Sequence, residues 1–588
     1  AALSSEINLE LNLRKCAWWP GLLPPDTGTP PALQRLHRPE GHSLLSIPFG
    51  QAEFVKSTLD TRLQTQASLA EELLQLAEQD PHVAVTLLRF CVGPSLNYWL
   101  RALPLHWGAY LAAEQDRITL KTVERLVHGF GLQRASTLRS QVERQVTLPT
   151  RMGGLGLSHG SKIQPTAVVA AWTNAISTLI PFGDCALEHL RQGLLQASAD
   201  YGRRSIGELT TICEEAADSV HASATPHSVP IIWDLLLAIR TTQDYCSWDL
   251  DGRDTPDYVL KARSLADWHS LLSTDARLPP PTPDEIQQST LEDHPSPLSP
   301  PMFLQSLLSR AVHWRTRREL ELSASGARLA QLLSLGSQLS GLWLQVIPSQ
   351  ARHRMVPAVF RYALRVYLGL PIPGGSLLST RRCQDCHAVV DTLGSHWLST
   401  CPASRAAFTR RHTAVNHSIR AALHEAGYTT TLEPLLMDPD PHQDHPGLRA
   451  DLLVFGIDGQ PDTYVDVAIT CPTAPSFLEG TQARRGKAAH MKFQQKHRKY
   501  ASTVRAQPGG VGLQPHFLPL VWETFGFTHA KSASWLDRQL KHVPGVRNRL
   551  LREISWVLWR SSGAILERAY RRLCWFHSYQ PEFSSAAT

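Results

Sequence analysis

The sequence predicts a multidomain protein that is mostly α, with α+β and α/β parts. Three observations carry that expectation. The chain has 588 residues, several times a common domain size of about 150. Helical periodicity dominates up to residue 375. After residue 380, short apolar runs alternate with helical stretches, and Asp458-Gly459 between two such runs is a hairpin signal. Hydrophobic residues at 43% and charged residues at 19% fit a globular chain rather than a disordered one.

The elements follow in order. Residues 1–60 read as the edge of an α/β region. A strand enters a turn at Glu10 to Cys16, a Pro-rich loop spans 20–31, and a short apolar segment from Ser43 ends at Pro48-Phe49-Gly50. From Phe54 to about Ile239 the pattern is helical, with Leu63, Leu69, Leu73, Leu74 and Leu76 at helical spacing. Gly153-Gly154-Leu155-Gly156 is a turn before a helix expected over Thr166 to Leu179. Eight prolines in the 23 positions from 279 to 301 mark a linker. Helices resume over Phe303 to Leu344 and Arg352 to Leu368, and Pro373-Gly374-Gly375 ends that block. Beyond a Cys/His segment come a helix near Val415 to Glu425 and apolar runs at Asp451 to Phe455 and Thr463 to Thr470. A basic helix near Ala483 to Tyr500, a third run at Phe517 to Val521 and a helix from about Ala533 complete the order of a small α/β domain.

The net charge of +6 is unevenly spread. Residues 376–588 carry 25 Lys+Arg and 17 Asp+Glu, a net of +8, and residues 1–375 a net of −2. That asymmetry suits a polyanion partner for the C-terminal third, or equally a basic solvated surface. Only 11 of the cations are Lys, and Lys487, Lys492, Lys496 and Lys499 fall within 13 residues. Lys can shift its pKa where Arg cannot, so the cluster suggests chemistry. No run of 18 apolar residues predicts a spanning helix, and no signal peptide opens the chain. Ten dispersed cysteines favour a reducing compartment. A start at Ala1 without Met is expected of a piece of a longer reading frame.

Cys383-x2-Cys386-x9-His396-x4-Cys401 has the ligand types and spacing of a structural Zn2+ site. Cys383 to His387 also matches a c-type haem attachment pattern. Haem would leave His396 and Cys401 without a role and needs an exported chain. The second constellation is Asp451 and Asp466, which antiparallel pairing brings together at the open end of the hairpin. Two carboxylates there can hold Mg2+ on a phosphodiester, with Lys496 orienting water or stabilising charge. Lys492, Lys496 and Lys499 share one helical face, and Tyr500 follows Lys496 by four. Solvated acids at a hairpin end and a solvated basic helix are the competing reading. Eight Lys/Arg from Arg484 to Arg505, and Arg547, Arg549, Arg552, Arg560, Arg568, Arg571 and Arg572 with Trp556 and Trp559, suit phosphate contact and base stacking. The same Trp pair equally fits an apolar helix face packed on the domain. P-loop, GxSxG and HExxH signatures are absent from the sequence.

These residues resemble the restriction-like endonuclease region of site-specific non-LTR (LINE-type) retrotransposon proteins. There a Cys-Cys-His-Cys knuckle precedes an Arg/Lys-His-Asp/Asn-like segment, here Arg411-His412-Thr413. A Lys/Arg-Pro-Asp motif, a second acid and a Lys-x-x-Lys-Tyr helix follow. This chain has Arg449-Ala450-Asp451, 14 residues, Asp466, then Lys496-His497-Arg498-Lys499-Tyr500. Ala450 replaces the usual Pro, Thr413 departs from Asp/Asn, and Ala468 stands where the common PD-(D/E)xK pattern has its Lys. In that family the Lys comes from the following helix, which fits Lys496. Further upstream, Leu11-Asn12-Leu13-Arg14-Lys15-Cys16, Ile47-Pro48-Phe49-Gly50, Asn97 to Ala102 and Leu148 to Leu157 resemble segments that follow the catalytic palm of such reverse transcriptases. The Tyr/Phe-x-Asp-Asp pair is absent from this sequence, so polymerase activity is not expected of it.

The resemblance implies the following layout. The end of the palm and primer grip occupies 1–60, a helical thumb and linker 61–270, a Pro-rich linker 271–302 and a helical linker 303–375. A zinc knuckle occupies 376–415, a PD-(D/E)xK-like α/β nuclease 416–545 and a basic C-terminal helix 546–588. It implies Mg2+-dependent nicking of target DNA to prime reverse transcription of an element RNA, in the nucleus. Asp451, Asp466, Lys496, Lys499 and Tyr500 are the expected catalytic residues. Arg484, Arg485, Lys487, Lys492, Arg498, Arg547, Arg549 and Arg552 would bind nucleic acid. Cys383, Cys386, His396 and Cys401 would bind Zn2+. The alternative is a decayed remnant that only binds nucleic acid through its knuckle and basic helices.

Overall fold

The computed structural model describes residues 40–103, 105–129, 136–157, 159–164, 167, 171, 304–372, 382–383, 385–437, 447–457, 459–507 and 513–578. The expected strand before Cys16, the helix over Thr166 to Leu179, the Pro-rich linker and the Pro-Gly-Gly at 373–375 lie outside these residues, except for Gln164 and the isolated positions 167 and 171 nearby. The described residues are mostly helical, with a small mixed sheet. They divide between two compact units, one within Ala1–Ala70, Ser95–Ile118 and Gly160–Val312, the other within Glu71–Pro94, Thr119–His159 and His313–Thr588. No helix among them is long and apolar enough to cross a membrane.

Among the described residues the first element is a hairpin of β1 (Gly41–Leu44) and β2 (Ile47–Gly50). Its two turn residues, Leu45 and Ser46, have φ of 49° and 71°. Such turns usually take Asn-Gly or Asp-Gly, so the sequence pattern had suggested one short segment here. Helices α1 (Ala52–Gln79), α2 (Pro81–Leu87), α3 (Asn97–Ala102), α4 (Leu105–Leu126) and α5 (Thr137–Val146) follow. Asp80 caps α2 by accepting from Val83 N at 3.1 Å, and Pro81 occupies its first turn. In the first unit, Val55, Leu59, Leu63, Trp99, Leu100 and Leu111 form one core.

The second unit is built on the part of α6 (Leu304–Leu322) from His313 onward, α7 (Gly326–Leu335), α8 (Pro357–Tyr367), α9 (Ser395–Ser399) and α10 (Arg405–Glu425). Then come β3 (Thr430–Leu432), β4 (Leu435–Met437), β5 (Leu448–Arg449), β6 (Leu452–Val454) and β7 (Thr463–Thr470). Helices α11 (Pro475–Ala483) and α12 (Lys487–Arg505), strand β8 (His516–Glu523), α13 (Ala530–Gln539) and α14 (Pro544–Ser578) complete it. The four-stranded sheet runs β3-β6-β7-β8, antiparallel except for the parallel pair β7–β8. The expected hairpin is therefore present as β6–β7. The short strands β3, β4 and β5 had no clear signal, being two or three residues long.

Both faces of this sheet are covered. On one, Val415 and Ile419 of α10 pack with Val465, Val467, Leu520 and Trp522. On the other, Ala489 and Phe493 of α12 pack with Ala468 and Val521. A strand buried on both faces is expected to be continuously apolar, and β7 is so except for Asp466 and its terminal threonines.

The Trp pair of α14 belongs to the core. Trp559 stacks on Trp343 at 5.5 Å and donates through Nε1 to Ser340 O at 3.0 Å. Trp556 donates to Arg352 O at 3.1 Å and stacks on His82, whose pKa burial pushes down to about 4. Both indoles are fully enclosed, which corrects the base-stacking expectation: the interleaved aromatics face the protein, not a nucleic acid. Residues 338–345, α8 and α10 each pack against α14, so segments read above as linker, knuckle and C-terminal helix share one unit.

Candidate active site and metal centre

The ladder of β6 and β7 pairs Leu452 with Val465. Asp451 sits one step beyond, and its N–H donates to Val465 O at 3.0 Å. The next position on β7 is Asp466, so the two carboxylates meet at the strand end, as the sequence predicted. Asp451 Oδ2 accepts from Val467 N at 2.6 Å, so its side chain continues the ladder that its backbone leaves. His412 of α10 reaches the same oxygen with Nε2 at 3.2 Å and lies 3.0 Å from Val467 O. The bond to Asp451 raises the His412 pKa above the usual histidine range.

Asp466 is 4% exposed. Lys496 of α12 places Nζ 2.8 Å from Oδ2 and 3.1 Å from Oδ1. Burial pushes the Asp466 carboxyl upward, the Lys496 ammonium pulls it down, and the Asp451 carboxylate pushes it up again. Burial lifts the Tyr500 phenol to about 12, with Asp466 adding, so Tyr500 remains a protonated donor beside that carboxylate. Asp451, Asp466, Lys496 and Tyr500 thus converge. Lys499 does not join them through a polar contact; its Nζ lies over the Tyr500 ring at 4.9 Å. Lys492 is half-buried beside the site, and burial, then Lys496, lowers its pKa.

Two devices fix α12 under the sheet. Gly486 precedes it at φ of 70°, and a Cβ there would meet the Phe527 ring at 2.2 Å. Glu523, at the end of β8, accepts from Ala489 N in the first turn at 3.1 Å. Burial pushes the Glu523 carboxyl up to about 7.

The residue types fit a divalent cation. Two adjoining carboxylates, one deeply buried, carry two negative charges, and Lys496 offsets one of them. Oxygen ligands of this kind suit Mg2+.

Cys383, Cys386, His396 and Cys401 form the second cluster, with all four donor atoms within 4.8 Å of one another. Cys383 Sγ and Cys401 Sγ are 3.7 Å apart, and Cys386 Sγ lies 3.1 Å from His396 Nε2. With bonds of about 2.3 Å to sulfur and 2.0 Å to nitrogen, tetrahedral zinc sets such pairs roughly 3.5–3.8 Å apart. The cluster can therefore hold a metal such as zinc. Asp391 organises the turn before α9 by accepting from Leu393 N, Ser395 N and His396 N. Thr400 Oγ1, 3.3 Å from His396 Nδ1, orients the ring so that Nε2 faces the thiols. Burial pushes the Cys401 thiol up to about 12, and Cys383 and Cys386 add to it. Crowded thiolates need a cation, which a bound metal supplies.

No protein-family model matches the chain, and no curated protein matches it. The reading of both sites therefore stands on their chemistry.

The expected nucleic-acid residues are dispersed. Arg484 and Arg498 are exposed, Lys487 opens α12 half-buried, and Arg485 lies over the Phe527 ring. Arg547 pairs with Asp537 and Arg549 with Glu425, while Arg552 donates to Asn548 O. The residue that the sequence reading left without a role is His412. It lay inside a quoted motif, but its partner is 39 positions away.

Proposed function

We propose that this chain nicks DNA by Mg2+-dependent phosphodiester hydrolysis, as the C-terminal part of a non-LTR retrotransposon reverse transcriptase/endonuclease. The observation that carries the reading is the meeting of Asp451, Asp466 and Lys496 at one strand end. The sheet between α10 and α12 supports a PD-(D/E)xK-like α/β arrangement. Asp451 and Asp466 would hold Mg2+, which would supply charge neutralisation at the phosphodiester and lower the pKa of an attacking water.

The chain's own residues do the rest. Lys496 counters the upward pull of burial on the Asp466 carboxyl and presents an ammonium where phosphorane charge would develop. His412 and Val467 N–H occupy one oxygen of Asp451 and leave the other for the cation. Tyr500 fixes Asp466 through its phenol. Zn2+ on Cys383, Cys386, His396 and Cys401 closes the knuckle and has no catalytic position open. Target DNA and an element RNA are the partners, and the nucleus is the compartment, in this proposal.

The test is relaxation of supercoiled plasmid by the full chain in Mg2+. The wild type should nick, while Asp466→Ala and Lys496→Met should each lose at least about 100-fold. Equal nicking by Asp466→Ala and wild type sinks the assignment.

A further inference from the structure

We propose that the cleft between α10 and α14, beside the Cys3His cluster, binds a backbone phosphate of a nucleic-acid strand. The inference deepens the proposed function and rests on its nucleic-acid part, but not on the nicking chemistry.

The cleft is shallow, with a cavity volume of about 50 Å3, and opens to solvent. Its floor is Trp397 and Cys401, both almost fully enclosed. Arg410, in the second turn of α10, lines one wall, and Arg568 and Arg572, one turn apart on α14, line the other. Arg572 is held by Asp385 at 2.9 Å. Among the described residues, Arg410 and Arg568 have neither an ion pair nor a hydrogen bond, and both are exposed. Two unpaired arginines therefore line one concave surface, with a third fixed nearby.

The sequence keeps this space open. Ala407 on α10 and Ala569 on α14 line the walls where longer side chains would fill them. Ser404, the residue before α10, also lines the cleft and makes no side-chain cap.

Planar guanidiniums with an apolar floor favour phosphate with sugar over a carboxylate peptide. A phosphodiester strand is also the ligand that matches the +8 charge of residues 376–588. Arg410 and Arg568 differ in this from Arg547 and Arg549, whose charge is already taken by Asp537 and Glu425.

The test uses the full chain and a short labelled DNA duplex, titrated at several salt concentrations. Each lost phosphate contact reduces the slope of log K against log salt by about 0.9. The double variant Arg410→Ala/Arg568→Ala should therefore lower the slope by about 1.8. Between 50 and 200 mM salt, the wild type should lose roughly 12-fold more affinity than the variant. Ala407→Glu, which adds a carboxylate to the cleft, should also weaken binding at low salt. An unchanged slope in the double variant, or full affinity in Ala407→Glu, overturns the cleft. Inorganic phosphate saturating the wild type while the duplex slope stays unchanged marks a free-ion site, and equal binding of poly-glutamate marks an acidic-peptide surface; either result overturns it too. Nicking is read in parallel. A changed slope with no nicking by the wild type retains the cleft and removes the nuclease. Nicking with an unchanged slope does the reverse.

Discussion

Glu523→Gln should make the second unit more stable at alkaline pH and remove a pH dependence expected of the wild type. The wild-type carboxyl is 1% exposed and raised by burial from 4.5 to about 7, against the pull of Ser334, Ala489 N–H and Arg485. Such a rise corresponds to about 3 kcal/mol. The sign follows from proton binding. Below pH 4.5 both folded and unfolded chains hold the proton, and the group costs nothing. Between about 4.5 and 7 the unfolded chain releases it while the folded chain keeps it, so stability falls as pH rises. Above 7 the penalty is complete. Gln keeps an acceptor for Ala489 N and carries no charge. At about 2.1 cal/mol/K per residue, a unit of this size converts the penalty into a Tm gap of roughly 5 °C. Thermal unfolding of wild type and Glu523→Gln at pH 5 and pH 8 reads it directly. The variant should match the wild type at pH 5 and exceed it at pH 8. An identical Tm difference at both pH values refutes the reasoning, because it leaves no proton linked to folding.

Other outcomes follow from the same geometry. His412→Leu should raise the Mg2+ concentration for half-maximal nicking by about 10–100-fold, while His412→Gln, which keeps a donor, should retain most of the affinity; equal Mg2+ titrations for both variants would separate His412 from Asp451. Metal analysis of wild-type protein purified without chelators should return roughly one zinc per chain, and Cys386→Ser should lower both zinc content and Tm. Trp559→Ala should destabilise the second unit by about 3–5 kcal/mol in denaturant titration, since its ring stacks on Trp343 and its N–H is bonded; a loss under 1 kcal/mol would mean that the helix repacks freely.

The metal cluster was legible because its ligands are local. Spacing from Cys383 to Cys401 is short enough for two turns to bring all four together, and they do. The carboxylate pair was legible through one turn, since a hairpin at Gly459 forces Asp451 and Asp466 to meet at its open end. Lys496 was legible by helical spacing within a basic run, although spacing did not separate it from Lys499. His412 was not legible as a partner. Its approach depends on how α10 lies across the sheet, which no local pattern encodes. The Trp pair shows the converse limit: periodicity placed Trp556 and Trp559 on one face, but the identity of what covers that face came only from residues 338–345 and α8. The β1–β2 hairpin escaped because Leu45 and Ser46 adopt positive φ without the residues that announce it.

Helix α14 has one further consequence. Its 35 residues supply Leu550, Ile554 and Leu558 to the core under the sheet, and Trp556, Trp559 and Leu566 to the core beside the cysteine cluster. The two cores are thus fastened along a single rod. A recombination breakpoint or protease cut near residue 546 would strip both at once and expose apolar surface on each remnant. The sheet-bearing piece cannot be shuffled onto another scaffold without its tail, and fragments ending before α14 are expected to aggregate.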